Sequence, residues 1–168
     1  MQAIYFVSVW LHILAATAWM GGMFFLVLAV VPWLRRGGQE HAGPFLRETG
    51  ARYRVVGWAC FGLLFVTGAF NLWVRGVRLG DLARAEWLMS PFGQAVVIKV
   101  TVFGVVLALS AYHDFVIGPR AATAIERGAG LAEAEGLRRR ASLLGRLNAI
   151  LAIVLVALAV ILVRGWPW

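Results

Sequence analysis

His12, Thr67, Asn71 and Lys99 are the residues of this chain whose chemistry is hardest to account for by packing alone. Imidazole is the commonest metal ligand and also carries haem iron. An ammonium can hold an anion, and an amide or hydroxyl can orient either group. His12 lies about two turns inside an uncharged run, in the string WLHILAATAWMGG, with Trp19, Gly21 and Gly22 two turns further on. An ionisable group at that depth is costly and normally marks a partner or a ligand pathway.

The elements that must position these residues follow from composition. The chain has 168 residues, 61% hydrophobic and 14% charged, far more apolar than a soluble domain. Four apolar runs, at about 3–34, 55–74, 91–115 and 143–163, each reach the roughly 20 residues of a spanning helix. The expectation is all-α: an integral membrane four-helix bundle forming a single transmembrane domain over 1–168. The first run lacks a basic leader and is too long for a signal core, so it reads as a spanning helix. Pro32, Pro91 and Gly118-Pro119 fall near helix ends, where chain breakers belong. Within 121–140, the Ala, Glu and Arg content suits either a short interfacial helix or an inward extension of helix four.

Arginine sets the orientation. Arg35, Arg36, Arg47, Arg52 and Arg54 follow helix one, and Arg120, Arg127, Arg138, Arg139, Arg140 and Arg146 follow helix three; only Arg75, Arg78, Arg84 and Arg164 lie on the other side. Eleven positives against four place the first and third loops inside, which gives an N-out/C-out protein of the inner (plasma) membrane. The net charge of +8 then reflects helix flanks meeting the lipid bilayer rather than nucleic acid. Cys60 is single, which excludes an intramolecular disulfide framework. Trp10, Trp73, Trp166 and Trp168 near outer helix ends, with Trp33 and Trp58 near inner ends, suit an aromatic belt, and Trp87 and Leu88 suit the headgroup boundary.

With that orientation, His12 is about 12 Å and Lys99 about 10 Å below the outer surface. Thr67 and Asn71, one turn apart on helix two, point to the same half. Helical phase puts Tyr5, His12 and Trp19 on one face, with Ser8 and Met23 close by, and puts Lys99, Phe103, Ser110 and His113 on one face of helix three. An outer cavity ringed by His12, Thr67, Asn71 and Lys99 is one outcome. A structural hydrogen bond for His12 and a snorkelling Lys99 are the other. His113 and Asp114 mark a second candidate site, some 21 Å below Lys99 along helix three, with Arg52, Arg54, Arg120, His41 and Asn148 as candidate neighbours. The depth difference excludes a haem held by both His12 and His113.

The motifs His12-x6-Trp19-x-Gly21-Gly22, Thr67-Gly68-x2-Asn71, and Lys99 followed by His113-Asp114-Phe115 resemble the copper-resistance D (CopD) family, in its four-helix form. That resemblance implies copper handling. The first-helix His with a following Trp and Gly, and the third-helix Lys followed by a His, also resemble the HemJ-type protoporphyrinogen oxidases. By that resemblance His12 contacts haem and Lys99 lines its pocket. Where that family has an aromatic-Leu-Pro-Arg segment, this chain has Val30-Val31-Pro32-Trp33-Leu34-Arg35.

Three functional expectations follow. The first is a b-type haem-binding protein, redox-active and so a candidate oxidoreductase with a redox partner. In it His12 is the axial ligand, Lys99 or Asn71 meets a propionate or the distal side, and Tyr5, Trp19 and Thr67 line the site. The second is a copper-binding or copper-transport protein with His12 as metal ligand, although copper(I) favours clustered Cys and Met and only Met20 and Met23 lie nearby. The third is a cofactor-free membrane assembly partner, in which Ala18 and Gly22 allow close helix packing within or between chains.

Overall fold

The computed structural model describes residues 1–35, 39–120 and 131–165; the side chains of 34–47, 131–134 and 138 lie outside that description, and with them the expectations for His41, Trp166 and Trp168. Every described element is helical. Helix α1 (Gln2–Phe25) continues through a π-helical turn, Leu26–Val30, into Val31–Arg35. Helix α2 is Gln39–Val74; a 3-10 turn (Leu79–Ala83) and the short α3 (Ala85–Met89) lead to α4 (Pro91–Tyr112). A second π-helical turn, His113–Ile117, prolongs α4, and α5 is Leu131–Arg164. Four helices are long and apolar enough to cross a membrane: Gln2–Trp33, Glu48–Val74, Pro91–Arg120 and Glu135–Arg164.

Two helices are longer than their apolar runs. Helix α2 starts at Gln39 instead of near 55, and α5 starts at Leu131 instead of near 143. The added residues include Glu, Leu, Arg and Ala, all good helix formers, so hydropathy marks where the helix enters lipid and not where it begins. For α5 this is the inward extension of the two outcomes expected. Helix α4 starts as its sequence prescribes: Ser90 is the N-cap, its hydroxyl accepting from the Gly93 N–H at 3.0 Å, and Pro91 takes the first helical position.

Helices α1 and α2 pack antiparallel along most of their length, and α4 packs on α5. Between them lies a core of Ala15, Trp19, Met23, Cys60, Phe61, Leu64, Val106, Ala149 and Ala152. Lipid tails are as apolar as these side chains, so close van der Waals fit holds the helices together. Trp19 leans on Phe61 at 5.1 Å between ring centroids; Phe61 meets Trp58 edge-on at 5.5 Å and Phe103 at 6.1 Å. Alanines at 15, 149 and 152 let the backbones approach.

Gly22 is used within the chain. A side chain there would collide with the Tyr53 ring, whose hydroxyl donates to the Trp19 carbonyl at 2.5 Å. The adjacent Gly21 faces open space. Gly22→Val is therefore expected to cost about 1–3 kcal/mol through overpacking, and Gly21→Ala to be neutral or to stabilise by about 0.5–1 kcal/mol. Thermal unfolding of the two variants in detergent checks the asymmetry.

The α2–α4 connection is tied by charge. Arg78 lies over the Trp73 ring at 5.4 Å and donates to the Trp73 carbonyl at 2.7 Å. Asp81 is buried, accepts from the Arg78 backbone N–H at 2.7 Å and pairs with Arg84. That backbone bond first, then Arg84, holds the Asp81 carboxyl below the usual carboxylate range, against the opposing effect of burial. A depressed folded-state pKa contributes stability that is present above the unfolded value and lost as pH falls through the folded one. Asp81→Asn should thus lower stability near neutrality and flatten the acid limb of the stability profile below about pH 4; an unchanged acid limb contradicts the assignment.

Candidate functional site

Helices α1 and α2 meet through polar rungs at the arginine-poor end of the bundle. The Ser8 hydroxyl donates to Asn71 Oδ1 at 2.9 Å, and His12 Nδ1 lies 2.7 Å from Thr67 Oγ1. Above them Arg75 reaches both the Tyr5 hydroxyl, at 3.4 Å, and the Leu162 carbonyl on α5, at 3.1 Å. Residues 5, 8 and 12 rise on α1 as 75, 71 and 67 descend on α2, one helical turn per rung. Of the expected site residues, Tyr5, His12, Thr67 and Asn71 are thus brought together.

The rung at His12 fixes a tautomer. The Thr67 hydroxyl has one proton, and it donates to the Leu63 carbonyl at 2.5 Å. Its oxygen can then only accept, so His12 Nδ1 is the donor of the 2.7 Å bond. Nε2 carries the free lone pair and has no hydrogen bond among the described residues. Thr67 is buried, and a Cβ at Gly68 would stand 3.4 Å from His12 Cε1, so the glycine keeps room for the ring. This is the arrangement in which a second hydrogen bond orients an imidazole for ligation.

Lys99 approaches from α4 within Coulombic range of His12, and Arg75 lies within range of Lys99. Lys99 makes no hydrogen bond or ion pair among the described residues. Trp19 is elsewhere: it is buried in the apolar core against Phe61, its carbonyl taken by Tyr53. Sharing a helical face with His12 placed Trp19 below the site rather than in its wall.

His113 and Asp114 form a separate cluster. Asp114 Oδ2 accepts from Trp58 Nε1 at 3.0 Å, and Oδ1 lies 3.0 Å from His113 Nδ1. The sequence reading places Trp58 in the aromatic belt; a spanning-segment carboxylate in need of a donor is the signal that could have found its role. Arg54 lies over the Phe115 ring at 6.0 Å. Two other candidate neighbours are occupied otherwise: Arg52 pairs with Glu48 at 2.9 Å, and Asn148 donates to Ser110 at 2.9 Å. Among the described residues no group of three or more His, Cys, Asp and Glu could hold a metal ion.

Thr67→Val keeps shape but removes the acceptor for His12 Nδ1–H. It should cost about 1–3 kcal/mol, and Thr67→Ser should retain most of that. Nitrogen-15 NMR of labelled histidine should show the Nδ1–H tautomer at position 12 and its loss in Thr67→Val; an Nε2–H tautomer in the unaltered protein contradicts the network.

The family described as Copper resistance protein D matches residues 47–162. A protein of Aquifex aeolicus (strain VF5), described only as uncharacterized, is 33% identical over 157 residues, which is 93% of this chain and 93% of that one. No solved structure matches.

Proposed function

This chain belongs to the copper resistance protein D (CopD) family, and from that footing we propose that it handles copper as a cargo, with His12 Nε2 as the ligand that receives the ion. It is a multi-pass protein of the inner membrane. The observation that carries the proposal is the oriented imidazole: Thr67 fixes Nδ1 as the donor and leaves Nε2 free in the spanning part of α1. With the arginine-rich ends inside, His12 lies in the outer half of the bundle.

The chemistry favours passage over storage. Copper binds imidazole well, but a tight site needs several ligands, and His12 has no second His, Cys or carboxylate grouped with it among the described residues. Lys99 is half-buried on α4 in the same outer half of the bundle, and its charge opposes a bare cation. A site that a transported ion must leave has to bind weakly. Asn71 Oδ1 already accepts from Ser8 and Thr67 Oγ1 from His12, so both are better placed as supports than as ligands.

The haem b expectation uses the same free Nε2, with Lys99 facing a propionate, and it would make the protein redox-active. Family membership favours copper, and Trp19, which the haem reading sets in the wall of the site, packs against Phe61 in the apolar core.

Equilibrium dialysis of the purified protein against copper(I) under reducing conditions, with an absorption spectrum of the same sample, tests the reading. The expected result is micromolar-range copper binding weakened at least tenfold by His12→Ala and unaffected by Cys60→Ser, with no Soret band. Copper retained equally by His12→Ala removes the site. A Soret band that disappears in His12→Ala replaces copper by haem.

A further inference from the structure

Two cations at the arginine-poor end of the bundle lack an anionic partner among the described residues. Lys99 lies about 12 Å along the helix from Pro91, the first residue of the spanning segment Pro91–Arg120. It is half-buried and forms no hydrogen bond or ion pair among the described residues. An ammonium at such depth normally has a partner. Arg75 lies within Coulombic range of it. Arg75 donates only to neutral oxygens, the Tyr5 hydroxyl at 3.4 Å and the Leu162 carbonyl at 3.1 Å. The carboxylates of the α2–α4 connection are Asp81 and Glu86. Asp81 is held by Arg84 and the Arg78 N–H, and the exposed Glu86 forms no ion pair with either cation.

A cavity lies beside these charges. Its volume is about 180 Å³, and it is lined by Pro91, Phe92 and Ala95 from the start of α4 and by Ile161, Leu162 and Gly165 at the end of α5. An apolar cavity of about 150 Å³ is enough to take benzene. Leu162 is the residue whose carbonyl holds Arg75, so the guanidinium stands at the rim. Ala95 is one turn from Lys99 on the same face of α4, which places Lys99 just below. The walls are apolar and the flanking charges are positive; Arg164, beside Gly165, has the same sign.

Access comes from water and not through lipid. Arg75 is exposed and follows the spanning segment Glu48–Val74, and the cavity occupies the end turns of its two helices. Charge and shape together select the occupant. A guanidinium and an ammonium suit a carboxylate. Apolar walls suit a short hydrocarbon tail and disfavour a strongly hydrated phosphate. A phospholipid fits less well, since its tail would run inward past a cavity confined to the end turns.

We infer that this end of the bundle seats a small aliphatic carboxylate, its oxygens between Lys99 and Arg75 and its tail in the cavity between α4 and α5. The seat does not depend on the copper reading but bears on it: a bound anion offsets the Lys99 charge that opposes a cation at His12.

The test is calorimetric titration of the copper-free full chain in non-ionic detergent with acetate, propionate and butyrate, with circular dichroism as the check of folding. Saturable binding is expected, tightening by about fourfold per methylene as the tail is buried. Lys99→Met, which keeps length and loses charge, should weaken butyrate by about tenfold or more, and Lys99→Arg should retain most of the affinity. Ala95→Leu fills the cavity but leaves both cations, so it should keep acetate and abolish the gain with chain length. No saturable butyrate binding by the folded unaltered protein, or binding unchanged in Lys99→Met, overturns the seat. Equal affinity for acetate and butyrate overturns the role of the cavity. Phosphatidylglycerol retained in native mass spectrometry, lost in Lys99→Met and never displaced by butyrate, assigns the charges to lipid and overturns the seat as well. Copper dialysis repeated with saturating butyrate should show binding about fivefold tighter or more; unchanged copper binding overturns the coupling and leaves the seat.

Discussion

The hydroxyl of Thr67 governs the site. It gives its single proton to Leu63 one turn back on its own helix and accepts from His12 on the next. In water such a bond is worth little net. In a bilayer the alternative is an unpaired donor in hydrocarbon, so the geometry is held more firmly. One side chain thereby aligns α1 with α2, selects the imidazole tautomer and frees Nε2. The neighbouring Ser8–Asn71 rung repeats the alignment a turn away. Arg75 then anchors the top by binding α1 and α5 together.

The rest of the bundle keeps those rungs in register. Below them the helices are held by shape: Trp19 on Phe61, Tyr53 against Gly22, alanines where backbones cross. Polar rungs above and apolar interlocking below divide the work. The rungs specify which residues face each other, and the core fixes the helix spacing. A cluster near the arginine-rich end then uses the same device as the first, an imidazole oriented by one polar partner, with a carboxylate in place of a hydroxyl.

Much of this was legible in the residues. The four spanning helices follow from apolar run length, and the facing of His12, Thr67 and Asn71 follows from depth matching once arginine sets the orientation. The separation of His12 from His113 follows from rise per residue alone. Helix ends were less legible: Gln39 and Leu131 begin their helices well outside the apolar runs, because helix propensity and hydropathy measure different things. Neither π-helical turn carries a sequence mark. Trp19 misled, since sharing a face with His12 says nothing about a neighbour's ring two turns down filling the gap. Trp58 goes unrecognised as a hydrogen-bond donor because an aromatic near the end of an apolar run reads as belt until its partner is known, and nothing in the sequence marks Tyr53 as the donor to Trp19. Haem stood ahead of copper because one histidine, a lysine and aromatics suffice for it on paper; family membership reversed that order.

The central claim is that His12 Nε2 meets copper. X-ray absorption at the copper edge of the copper(I)-loaded protein tests it most directly. The account predicts nitrogen in the first shell with the outer-shell scattering of an imidazole ring, reduced in His12→Ala. Copper surrounded by sulfur alone, with a spectrum unchanged in His12→Ala, would contradict it.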